Sequence, residues 1–196
     1  MRHALTLAVL LAGSALSAQT PTFSLATGLS LPLGDLKDRA DFGTNQFFGT
    51  HLGGQATFAI NSRHAVRAQL TYQHFPGSSW GGFAASRNDF GALQAGADWV
   101  YQLQAPYRGW YTIAGASLNQ VKDSWDYVNS AGRRVSGSSS QGGKLGVRGG
   151  GGYAFSRRFA LEGTLNQIFV DANGGDGFGF DTATWIQVSA VFRFSR

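Results

Sequence analysis

Three groups of residues in this 196-residue chain have the types and spacing to do chemistry. The run Asp171-Ala172-Asn173-Gly174-Gly175-Asp176-Gly177-Phe178-Gly179-Phe180-Asp181 mixes carboxylates with glycines, which suits Ca²⁺. It fits neither the EF-hand spacing nor a Gly-Gly-x-Gly-x-Asp repeat, where Gly179 takes the place of the Asp. A solvated loop without metal is the expectation. Gly149 to Gly152 is glycine-rich, but no helix follows to aim backbone N–H groups at a phosphate. Glycines there are expected to allow close packing or bending of a strand. The third group is a set of lone charges inside apolar alternation: Arg67, Asp98, Arg148 and Glu162, with Lys144 and Arg193 on matching faces. Buried charges must pair, so this set reads either as a gated polar pore or proton path, or as a structural plug of ion pairs. The plug is the expectation, and neither a catalytic residue nor a cofactor is assigned.

The elements that carry these charges have period two, the signature of a strand with different surroundings on its two faces. Phe23, Leu25, Thr27, Leu29 and Leu31 alternate with Ser24, Ala26, Gly28 and Ser30. The same alternation recurs over residues 51–60, 66–73, 93–101, 144–155, 159–169 and 186–194. Trp110 to Asn119 is also strand-like, but both of its faces are apolar and its orientation stays open. That makes eight strands, mostly of 10–12 residues, close to the ~9–11 that cross a membrane at a tilt. The connections 61–64, 102–109 and 156–158 are short, whereas 34–48, 75–89, 120–143 and 171–183 are long. Ser136 to Gly143 is a low-complexity segment, expected to be mobile. Short turns at one end and long loops at the other are the layout of an outer-membrane barrel, with both termini on the periplasmic side.

Composition decides which face meets lipid. Period two alone does not separate this layout from a soluble eight-stranded barrel with an apolar interior. Charged residues are only 14% of the chain against a usual ~25%, and Glu162 is the sole glutamate, too few for a soluble exterior. Glycines occupy the polar faces, as a narrow lumen requires. Aromatic residues gather near strand ends: Trp99, Tyr101, Tyr107, Trp110, Tyr111, Tyr153, Phe155 and Phe159 toward the short turns, and Phe47, Phe48, Tyr72, Phe90 and Phe169 toward the long loops. Two such girdles mark membrane interfaces. The expected fold is therefore all-β, an eight-stranded antiparallel up-and-down transmembrane β-barrel. No apolar run reaches the ~18–20 residues of a spanning helix. The absence of Cys excludes disulfide scaffolds, thiolate nucleophiles and Cys-ligated zinc.

Residues 1–18 read as a signal peptide: a basic start at Met1-Arg2-His3, an apolar stretch from Ala4 to Leu16, and small residues up to Ala18. Residues 19–196 are then the barrel, and removing Arg2 lowers the formal charge from +5 to +4. The remaining basic residues are scattered rather than striped, so nucleic acid is not an expected partner.

The last strand carries a more specific resemblance. Gln187-Val188-Ser189-Ala190-Val191-Phe192-Arg193-Phe194 resembles the assembly signal of bacterial outer-membrane proteins, with Gln187, Ser189, Phe192 and Phe194 at its key positions. Ser189 stands where Gly is usual, and Ser195-Arg196 follow the aromatic that is usually terminal. Over residues 22–194 the layout resembles the small eight-stranded barrels of the OmpA transmembrane, OmpX and OmpW type. That resemblance implies an outer-membrane location, outer-membrane lipid, lipopolysaccharide and the outer-membrane assembly machinery as partners, and a monomer. Certain barrels of this size are lipid A deacylases that use a strand-borne His-x-Ser with a Glu. His51, His64 and His74 are followed by Leu52-Gly53, Ala65-Val66 and Phe75-Pro76, so the motif is missing. His51 and His74 are expected at the long-loop rim as interfacial side chains. The functional expectation is a non-enzymatic envelope or surface-interaction protein acting through its long loops; the alternative is an OmpW-like passage for small or apolar solutes. Arg67 is expected beside Asp98, and Glu162 beside Arg193 or Arg148.

Overall fold

Alternation of apolar and polar residues leaves each strand one face for lipid and one for a narrow interior. The computed structural model closes eight such strands on themselves. It describes residues 20–37, 48–77, 87–104, 108–129, 131–171 and 181–194; the segment 1–18 expected as a signal peptide, together with Phe47, Tyr107, Arg196 and most of the Asp171–Asp181 run, lies outside these. The strands are β1 (Thr22–Leu33), β2 (Gly49–Ala59), β3 (His64–Phe75), β4 (Arg87–Gln102), β5 (Gly109–Val128), β6 (Arg134–Ala154), β7 (Phe159–Phe169) and β8 (Thr182–Phe194). Each pairs antiparallel with its sequence neighbours, and β8 returns to β1 to close the barrel.

The outward face is the apolar one. Leu25, Leu29, Leu52, Leu70, Leu118, Leu145, Leu165 and Val188 are exposed, while Ser24, Gln55, Gln69, Gln94, Asn166 and Gln187 are buried. On β1 the outward run from Phe23 to Leu31 covers about 26 Å of strand at ~3.3 Å per residue. At a tilt of ~40° that is about 20 Å of height, close to the apolar band of a membrane barrel. The molecule is a transmembrane barrel, with lipid outside and polar side chains within. At the short-turn end, Trp110, Tyr153, Phe155, Phe159 and Phe192 form an unbroken belt of ring contacts with centroids 4.9–5.6 Å apart. His64 joins this level by packing on Trp99 and Tyr101.

Three features differ from the sequence expectation. Strands β4, β5 and β6 have 16, 20 and 21 residues, so the segment expected as the loop 120–143 is a paired hairpin that rises beyond the barrel. Its Ser- and Gly-rich arm, Ser136 to Gln141, is hydrogen-bonded in register to Val121–Asp126, so low complexity did not prevent strand pairing. Above the membrane both faces of a hairpin meet water, so apolar alternation is not required there. The register slips between Asn119 and Val121, with Gly142 and Gly143 opposite Gln120. Gly143 has φ +69°, the left-handed geometry of a glycine bulge, and the slip changes which residues of β6 face inward.

The second difference is β5, whose orientation is now defined. Tyr111, Ile113, Ser117 and Asn119 are buried, while Trp110 and Leu118 face lipid. The third is Phe90, expected in the outer girdle but fully buried inside the barrel with Phe75 and Trp185.

Candidate functional site

The interior is built in three layers. At the loop end, Phe75, Phe90, Ala92, Val121, Ile168 and Trp185 form an apolar cap. Leu36, from the single-turn 3₁₀ helix Gly34–Leu36, is fully buried in it. Trp185 packs edge-on to Phe75 at 5.8 Å. At the short-turn end a second apolar cluster comprises Ala65, Val100, Tyr111, Ile113, Ala154, Ala160 and Val191, with Ala26. Between the two caps lies a polar layer.

Arg67 is the centre of that layer. Its Nε donates to Asp98 Oδ2 at 2.9 Å, and its Nη1 crosses the lumen from β3 to β7 to donate to Glu162 Oε1 at 2.6 Å. Tyr111 donates its hydroxyl to the same Glu162 oxygen at 2.8 Å. Arg148 Nε lies 3.2 Å from Asp98 Oδ1, an ion pair rather than a directed hydrogen bond, while Arg148 Nη1 donates to Gln69 Oε1. Gln69 Nε2 in turn donates to Asp98 Oδ1 at 3.3 Å. Two guanidiniums and two carboxylates thus form one connected set, Glu162–Arg67–Asp98–Arg148, and all four are buried.

The backbone register explains how side chains from non-adjacent strands meet. Asp98 on β4 and Arg148 on β6 both pair in register with Gly115 on β5, which lies between them. A Cβ on Gly115 would sit 2.1 Å from Asp98 Oδ1. Tyr111 on β5 and Glu162 on β7 flank Gly152 on β6 in the same way, and a Cβ there would sit 2.6 Å from the Tyr111 ring. His51 on β2 and Ser189 on β8 flank Gly28 on β1. At each of the three places a missing side chain lets two polar groups reach across one strand. The glycines of the polar faces are therefore gaps through which the network is wired.

The predicted residues fall as follows. Arg67 and Asp98 are adjacent, and Arg148 joins them. Glu162 takes Arg67 and Tyr111 as its hydrogen-bond partners in place of the expected Arg193 or Arg148, because Arg67 is long enough to span a lumen this narrow. Arg193 stands at the short-turn mouth, with its guanidinium 5.8 Å from the centre of the Tyr111 ring. Lys144 does not belong to the interior set: it lies at the loop rim, where Nζ donates to the exposed Asp171 Oδ2 at 2.5 Å. His51, expected at the rim, is buried in the lumen, with Nε2 2.9 Å from Ser189 Oγ and Nδ1 3.3 Å from Ser30 Oγ. His74 is half-buried on the outward face.

Of the four assembly-signal positions, Gln187 and Ser189 point inward and Phe192 and Phe194 outward. Among the described residues no group of three or more His, Cys, Asp or Glu side chains is placed to hold a metal. Tyr111, expected like Phe90 in an aromatic girdle, is buried in the lumen, where its hydroxyl reaches Glu162; Phe75 and Trp185 are interior residues that the sequence reading did not assign. Strand parity carries the signal for most of them: Phe90 shares the face of Gln94 and Asp98, and Trp185 that of Gln187 and Ser189.

This network does not resemble a hydrolytic centre open to substrate. His51 and Ser189 are a base and a hydroxyl in contact, but both are enclosed by the lumen wall. A cavity of about 20 Å³ at the short-turn mouth, lined by Thr22, Gln55, Arg67, Gln102, Tyr111 and Arg193, has room for water rather than for a solute. An eight-stranded barrel is just wide enough for its own side chains, and among the described residues they occupy this interior.

Closed architecture, lipid-facing band and plugged interior define a small outer-membrane-type barrel. Solved structures place the chain in that fold. A major outer membrane protein from Thermus thermophilus superposes with a TM-score of 0.58 at 13% identity, covering 89% of this chain and 100% of that one. Ail, the attachment invasion locus protein of Yersinia pestis, gives 0.55 at 13% identity over 89% and 97% of the two chains. Neisserial surface protein A gives 0.53 at 14% identity over 90% and 97%. No protein-family model matches the sequence, and no curated protein matches it.

Proposed function

We propose that the chain is a non-enzymatic outer-membrane protein that supports envelope integrity or surface contacts through its loop end. The observation that carries this reading is the lumen, which among the described residues is spanned by an ion-paired layer held between two apolar caps. The same observation weighs against an OmpW-like passage, which needs an open funnel. Among the described residues, the part most available for work is the β5–β6 hairpin, built on the two longest strands and displaying Trp125 and the cross-strand pair Asp126–Arg134. The short turns would face the periplasm, and the last strand, with Phe192 and Phe194 outward, would be read by the assembly machinery.

The reading is tested in a strain lacking the protein, complemented with the full chain or with a chain whose hairpin is cut back to the barrel rim. Surface adhesion or detergent resistance that returns with the full chain and not with the trimmed one supports it. A defect in small-solute uptake that both chains repair equally overturns it in favour of a channel.

A further inference from the structure

Each short turn joins an exposed apolar side chain to an exposed arginine. Ile60 accompanies Arg63, Leu103 accompanies Arg108, and Phe155 accompanies Arg157 and Arg158. The turns contain no Asp or Glu. The nearest carboxylates along the strands, Asp98 and Glu162, are turned into the lumen and bound to Arg67. At the loop end, by contrast, two bases have acidic partners, Arg134 with Asp126 and Lys144 with Asp171. Among the described residues the two ends therefore differ in kind: one is a mixed-charge surface, the other a cationic rim.

The aromatic belt through Trp110, Tyr153, Phe155, Phe159 and Phe192 lies beside the β4–β5 and β6–β7 turns, and the His64 contacts with Trp99 and Tyr101 lie beside the β2–β3 turn. Aromatic belts sit at head-group depth, so the four guanidiniums lie where lipid phosphates are. A guanidinium binds phosphate through two parallel N–H donors. Only four residues leave the strands between β2 and β3, and four between β6 and β7, which keeps Arg63, Arg157 and Arg158 close to the aromatic level. A soluble acidic partner would gain nothing from Ile60, Leu103 and Phe155 being held open next to each arginine.

We propose that the short-turn rim is a docking surface for anionic phospholipid. Phosphate head groups of the adjoining leaflet bind Arg63, Arg108, Arg157 and Arg158, while Ile60, Leu103 and Phe155 seat in the neighbouring acyl region. This depends on the transmembrane barrel and not on which surface task the loops perform, so the two readings fail separately.

The test uses the full chain folded into phosphatidylcholine vesicles that contain either brominated phosphatidylglycerol or brominated phosphatidylcholine. Trp99 and Trp110, at the short-turn end, report contact by fluorescence quenching, while Trp185 is enclosed in the lumen. The expected result is a preference for phosphatidylglycerol of about five-fold per site, the scale of one arginine near an anionic surface, which fades in high salt. The preference should vanish in R63Q/R108Q/R157Q/R158Q, with folding confirmed by heat-modifiable gel migration. If that variant does not fold, R63Q/R108Q and R157Q/R158Q each should lose part of it. Equal quenching by the two lipids, or a preference that survives these substitutions in folded protein, overturns the proposal.

Discussion

Glu162→Ala isolates the plug. The carboxylate accepts from Arg67 Nη1 at 2.6 Å and from the Tyr111 hydroxyl at 2.8 Å. Without it, Asp98 is left, among the described residues, as the one carboxylate paired with both Arg67 and Arg148. One buried guanidinium then lacks a counter-charge, and breaking a buried pair in this way costs about 3–5 kcal/mol. Glu162→Gln keeps an acceptor of similar shape and loses only the charge, so its cost should be smaller, about 1.5–3 kcal/mol, the worth of a charged hydrogen bond. Asp171→Ala serves as the control. It removes the partner of Lys144 from a side chain that is 71% exposed, where an ion pair is worth about 0–1 kcal/mol. Urea unfolding of the barrel in vesicles, followed by Trp fluorescence, gives the three midpoints. The expected order of loss is Glu162→Ala, then Glu162→Gln, then Asp171→Ala, with an unchanged slope. A Glu162→Ala midpoint no lower than that of Asp171→Ala would show that the ion pairs are not what holds the interior.

Three further outcomes follow from the same geometry. Gly115→Ala and Gly152→Ala should each lower the unfolding midpoint, because the new methyl meets Asp98 Oδ1 at 2.1 Å or the Tyr111 ring at 2.6 Å, whereas Gly54→Ala and Gly163→Ala, with nothing within 4 Å, should not. Trp185→Ala should cost about 3–5 kcal/mol by opening a cavity in the loop-end cap yet leave the barrel non-conducting, since the polar layer below is untouched; unfolding and bilayer recordings on one preparation check both. Trypsin applied to intact cells should cut at the hairpin tip, at the exposed Arg133 and Arg134, and spare Arg63, Arg108, Arg157 and Arg158; cleavage at the short turns instead would reverse the orientation.

Much of the barrel is legible in the sequence because the membrane imposes a different solvent on each face of every spanning strand. Where that constraint ends, legibility ends with it. The upper arms of β5 and β6 have water on both sides, so Ser136 to Gly143 has a loop-like composition although its backbone is paired. In lower β5 the signal fails for the opposite reason: Tyr111 and Ile113 line an apolar cap while their neighbours face lipid, so both faces are hydrophobic. Arg67 beside Asp98 is readable because the two strands are sequential and their register can be counted from a shared loop. Arg67 reaching Glu162 is not, because that contact crosses the lumen and depends on how the closed barrel brings β3 opposite β7. Lys144 shares strand parity with Arg148, which suggested an interior place. Its height near the rim puts it within reach of Asp171 instead. The gap glycines have a signature in hindsight: each lies in register between two polar residues on the strands either side.

Planar-bilayer recording of the folded full chain tests most directly whether the lumen is plugged. The filled interior predicts a silent bilayer across the voltage range, with no stable unitary steps after insertion of barrels shown to be folded by their heat-modifiable migration. Reproducible, long-lived ohmic steps from that same folded protein would contradict it.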